Sequence, residues 1–139
     1  MKDLFQIFDE SFETIQKLIE DDNYAGSSSI STDLITVSVM SDFQDGILIG
    51  EVLEGVFDQI DQLFYTYALK AEVQNAIRKQ TYEQVALIGK SYKNGEKEKL
   101  YEALRNIRAI ATQFQFKCFK TIKPRPEFGP QRLRVSRRA

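Results

Sequence analysis

Four carboxylates, Glu51, Glu54, Asp58 and Asp61, recur at spacings of three and four, which on a helix stacks them on one face where a hard cation such as Mg²⁺ or Ca²⁺ could sit. The apolar residues between them assign that face to the outside, where water hydrates both ligand and ion. A solvated or partner-facing acidic surface is therefore the favoured reading. The same exposure argues against paired-carboxylate hydrolysis, which needs one carboxyl desolvated to raise its pKa. Gly89, Lys90 and Ser91 copy the end of a phosphate-binding P-loop, yet Gln84 stands where the motif's first glycine belongs and no strand precedes it. Nucleotide hydrolysis is set aside. Cys118 falls on the apolar side of its segment, where a thiol behaves as a small hydrophobe. Serines 27–29 could accept phosphate, but they read as part of a Gly-Ser loop.

The chain contains no histidine, so by itself it supplies no Ser-His-Asp triad, no Cys-His pair, no HExxH zinc site and no Glu-x-x-His di-iron helix. These residues assign no catalytic group, metal or cofactor, and the expectation is a protein that is not an enzyme.

One constellation fares better. At about 100° per residue, Lys97, Tyr101, Arg105, Arg108 and Phe119 form a second stripe on the last helix, roughly a quarter turn from its apolar face. Arginine beside aromatic rings is the composition of an interface hot spot. It is also how single-stranded nucleic acid is held, bases on rings and phosphates on guanidinium groups. The plainer alternative is that these side chains flank the core and pair with the acidic helix of the same chain. Beyond the stripe, Lys120, Lys123, Arg125, Arg132, Arg134, Arg137 and Arg138 extend the candidate partner-binding set.

These residues sit in a chain of split charge. Residues 1–69 hold 14 acidic and 2 basic side chains, a formal charge of −12; residues 70–139 hold 6 and 17, a charge of +11. The whole-chain value of −1 hides that asymmetry, which points to an acidic or polyanionic partner or to pairing between copies.

The elements that position them read as helices. Leu4, Phe8, Phe12, Ile15 and Ile19 form one apolar stripe, predicting a helix over residues 3–21 followed by a loop over 22–31. Residues 34–40 (LITVSVM) alternate as a strand would, but an isolated hairpin is marginal and residues 31–33 offer N-caps, so helix is preferred. From Ile47, a heptad seam of Ile49, Leu53, Val56, Ile60, Leu63 and Tyr67 predicts the longest helix, continuing through Ala71, Val73 and Ile77 towards Lys79. Thr81 and Gln84 match a capping box opening the next helix, which carries Val85, Ile88 and Tyr92 inward. Asn94 and Gly95 close it. Residues 97–119 form an amphipathic helix with Leu100, Leu104, Ile107, Ala111, Phe114 and Cys118 inward, the second arm of an αα-hairpin. Pro124, Pro126 and Pro130 then forbid continuous helix.

The expected fold is thus all-α, an antiparallel bundle of four to five helices with a long central helix, an αα-hairpin and a basic extended C-terminal tail. Residues 1–119 would form the bundle domain and 120–139 the tail. A chain of 139 residues with 42% hydrophobic content is one domain's worth of core. No apolar run approaches the roughly 20 residues of a membrane span, the acidic N-terminus does not read as a secretory signal, and the lone Cys118 suits a cytoplasmic location. The leading expectation is a non-enzymatic assembly or adaptor protein, a homo-oligomer that also docks a protein partner with an acidic surface. The runner-up is a nucleic-acid-binding protein that uses the basic half to contact phosphates.

Overall fold

A computed structural model describes residues 2–126 as five helices with no β-strand among them: α1 (Leu4–Glu20), α2 (Tyr24–Met40), α3 (Gln44–Thr66), α4 (Ala71–Asn94) and α5 (Lys97–Thr121). Consecutive helices run antiparallel, and each packs closely against two others, in the circular order α1, α2, α3, α5, α4 and back to α1. Alternating direction cannot close a ring of five. The mismatch falls on α3 and α5, which are neighbours and run the same way: Tyr101 meets Asp45, Gln115 meets Gln59, and the backbone of Arg125 meets that of Thr66.

Inside the ring, the residues of the expected stripes form one core. Phe8, Phe12, Ile15 and Ile19 from α1 meet Ile49, Leu53, Val56 and Ile60 from α3, Ile77, Val85 and Ile88 from α4, and Leu104, Ile107, Ala111 and Cys118 from α5. Each large aliphatic or aromatic side chain so buried stabilises the fold by about 1.5–3 kcal/mol. Tyr92 joins α4 to α1 by stacking on Phe8 at 5.1 Å and Phe5 at 5.5 Å between ring centroids. A capping box opens α1, where the Asp3 carboxylate accepts from the Gln6 amide at 2.8 Å and the Gln6 side chain accepts in return.

The expected loop over residues 22–31 is instead the start of α2, and residues 34–40 complete the same helix. The turn before it is tighter than a Gly-Ser loop. Asp22 takes a left-handed φ of 56°, and the Asn23 amide donates to the Leu18 carbonyl at 2.8 Å, closing a Schellman turn. Asp42 repeats the arrangement between α2 and α3, and Gly95 between α4 and α5. Glycines on α3 permit close contact with α2. A Cβ on Gly50 would lie 2.5 Å from Ile35 Cγ1 and 3.0 Å from the Ser31 carbonyl, and one on Gly46 would collide with Ser38 Oγ. Ser27 and Ser31 are buried there because their hydroxyls donate to the carbonyls four residues back, Asn23 at 3.0 Å and Ser27 at 2.8 Å.

The long central helix is also corrected. It breaks at residues 67–70, where the chain is extended and Tyr67 and Leu69 turn inward. Periodicity passes over the break because α3 and α4 present apolar faces to the same core. Thr81 lies within α4 rather than at its start, and its hydroxyl donates to the Ile77 carbonyl at 2.7 Å, as a threonine inside a helix can. The αα-hairpin stands as expected, with α5 extending through Lys120 and Thr121.

Candidate functional site

The parallel packing of α3 and α5 leaves a long groove on the surface. Its register is constant: Tyr101 Oη donates to Asp45 Oδ1 at 2.8 Å, and the Gln59 amide donates to Gln115, both across an offset of 56 residues. Three concavities follow one another along it, of about 220, 470 and 630 Å³. The first has an apolar floor of Leu48, Val52 and Leu104, with Tyr101, Arg105 and Arg108 beside it. The middle one is shared by Glu51, Gly55, Gln59, Arg108 and Thr112. The last is flanked by Asp58 and by Phe116 and Phe119, whose rings are 61% and 76% exposed.

At the groove's N-terminal end the charges are already matched. Lys97 Nζ lies 3.3 Å from Asp45 Oδ2, and the Tyr101 hydroxyl bonds the other oxygen. The Tyr101 bond, with smaller help from Lys97, holds the Asp45 carboxyl below its ordinary value of 3.8. That same bond raises the Tyr101 hydroxyl, because the proton it would lose is shared with a carboxylate. One rung down the match ends. Arg105 and Arg108 on the α5 rim, and Glu51 and Asp58 on the α3 rim, are exposed and have no hydrogen-bond or ion-pair partner among the described residues.

Of the residues singled out from sequence, Tyr101, Arg105 and Arg108 converge on one concavity, Lys97 caps its end and Phe119 lies at the far end of the same groove. Lys120 is the last basic residue of α5, its ammonium 5.1 Å from the centre of the Phe116 ring. Lys123 is exposed. Arg125 is held back against the bundle: its amide donates to the Thr66 carbonyl at 2.9 Å and its guanidinium reaches the Phe64 carbonyl at 3.5 Å. Pro124 forms a bridge with Tyr67 beside it. Arg132, Arg134, Arg137 and Arg138 lie outside the described residues.

The α3 side of the groove was not read from sequence, because periodicity shows which face a helix buries and not which helix lies alongside. Phe116 did carry a signal, being a large aromatic off the apolar face of α5. The acidic row divides. Glu51 and Asp58 line the groove, while Glu54 turns to α2 and accepts from the Thr32 hydroxyl at 2.7 Å. No three His, Cys, Asp or Glu side chains come together to hold a metal among the described residues. Gly89, Lys90 and Ser91 lie inside α4, so their amides serve the helix and cradle no phosphate; Gly89 instead lets Phe12 pack close. Cys118 is buried, and burial pushes its thiol pKa up, away from the reactive thiolate.

No helix of the described residues is long and apolar enough to cross a membrane. Compared with known proteins, the chain matches no family model, no curated protein and no solved structure.

Proposed function

We propose that this chain is a non-enzymatic assembly or adaptor protein of the cytoplasm that self-associates and docks a protein partner through the α3/α5 groove and the basic residues after it. The observation that carries this reading is a pair of arginines, Arg105 and Arg108, exposed and unmatched by any described side chain beside an apolar floor of Leu48, Val52 and Leu104. Guanidinium groups next to partly open hydrophobic surface are what interface hot spots are made of. Affinity purification of the full chain, of a chain ending at Pro126 and of Arg105→Glu/Arg108→Glu tests it. Proteins retained by the full chain and lost on charge reversal support the groove, and those lost with the truncation support the basic run. Identical recovery with all three would overturn the reading.

A second reading rests on a different observation. Residues 103–126 contain no acidic side chain, Phe116 and Phe119 are exposed, and the Lys120 ammonium lies 5.1 Å from the centre of the Phe116 ring. That combination suits single-stranded nucleic acid. The acidic rim at Glu51 and Asp58 repels such a ligand, which ranks this reading second. Retention on single-stranded DNA or RNA that falls steeply with salt, and is lost in Phe116→Ala/Phe119→Ala, would raise it.

A further inference from the structure

We propose that a second copy of this chain occupies the α3/α5 groove, forming a homodimer about a two-fold axis that runs along the two helices. The proposal rests on the docking reading and names its occupant. The first argument is charge placement. Because α3 and α5 are parallel with an offset of 56, position 51 stands level with position 107, so Glu51 and Arg108 lie at nearly one height on opposite rims. A half-turn about an axis parallel to the helices keeps height and exchanges left for right. It lays the α3 of one copy on the α5 of the other, and Glu51 meets Arg108 of the second copy twice, once on each side of the axis. The interface is isologous and self-complementary. A half-turn about an axis across the helices instead lays acidic rim on acidic rim and basic on basic, which like-charge repulsion disfavours. Within one chain these side chains share a concavity without bonding each other.

Gly55 supplies a second, independent argument. It lies between Glu51 and Asp58 in the exposed middle of the groove, and a Cβ built there meets no atom within 4 Å. Gly46 and Gly50 are required by α2; no contact within the chain requires Gly55. An approaching helix backbone does. Leu48 and Phe116, exposed at 41% and 61%, stand on the same surface and would be covered by the second copy.

Light scattering coupled to size exclusion, across a concentration series, reads the result. The wild type is expected to show a dimer mass. Glu51→Arg and Arg108→Glu should each weaken dimerisation by about tenfold or more, and Glu51→Arg/Arg108→Glu together should recover most of it, because the double reversal restores opposite signs across the axis. Gly55→Leu should retain the helical circular dichroism and lose the dimer. A dimer indifferent to all four variants would overturn this interface while leaving self-association standing. Strengthening by Glu51→Arg alone would overturn the axis, since only like-facing rims gain from it. A wild type that is monomeric throughout the series would overturn the proposal and the self-association arm of the docking reading, leaving the heterologous partner to the purification experiment.

Discussion

Asp45 decides how the stripe read from sequence is used. Tyr101 and Lys97 were legible as interface residues, yet the structure satisfies both within the chain, on one carboxylate at the start of α3. Arg105 and Arg108, one and two turns further, find no such partner among the described residues: Ile49 stands level with Arg105, and Glu51, near the height of Arg108 on the opposite rim, does not bond it. The Asp45 bond has a pH consequence. A carboxyl held below its ordinary value contributes stability that is present above the unfolded value, near 3.8, and is lost as pH falls through the lower folded value. Tyr101→Phe removes the largest cause of that shift. Its melting temperature is expected to lie below that of the wild type at pH 7, and the two should converge as the pH is taken below 3.8. A difference that persists unchanged at lower pH would show that the hydroxyl acts through something other than the carboxylate.

At the scale of the element, α2 is where composition misleads. Serine and glycine clustered over residues 26–31 are loop formers by local preference, but here they lie within a helix whose backbone at Ser31 packs against α3 where Gly50 leaves room. Local preference is worth a few tenths of a kcal/mol per residue and gives way to tertiary packing. The glycines of α3 separate the two roles. Gly50→Ala places a methyl group against Ile35 and the Ser31 backbone, and is expected to cost about 1–3 kcal/mol by overpacking. Gly55→Ala meets open space and is expected to gain about 1 kcal/mol of monomer stability from helix propensity. Urea unfolding of the two variants checks both signs. The turns belong to the same scale: Asp22 and Asp42 occupy left-handed positions for which glycine or asparagine is the usual signal, so the end of α1 was legible and the immediate restart at Tyr24 was not.

For the whole molecule, the split of −12 against +11 becomes an arrangement of neighbours. The acidic half forms α1, α2 and α3, the basic half α4 and α5, and the ring joins them along two seams. Each seam carries a close ion pair, Asp22 with Arg78 at 2.6 Å where the α1–α2 turn meets α4, and Asp45 with Lys97 at 3.3 Å where α3 meets α5. Sodium chloride should therefore lower the melting temperature as the Debye length shrinks from about 10 Å at 0.1 M towards 3 Å at 1 M. A melting temperature that rises steadily with salt would show that repulsion within the halves outweighs attraction across the seams. The sequence by itself determined that the chain is helical, which face of α1, α3 and α5 is buried, and where the αα-hairpin turns. Those features follow from a 3.6-residue period and from residues near one another in the chain. Only the tertiary structure decided that five helices close a ring, that α3 breaks at Tyr67 and that α5 lies parallel to α3. Each depends on which distant surfaces meet, and a ring of five must leave one pair of neighbours parallel. The groove between that pair is the surface on which the proposed function rests.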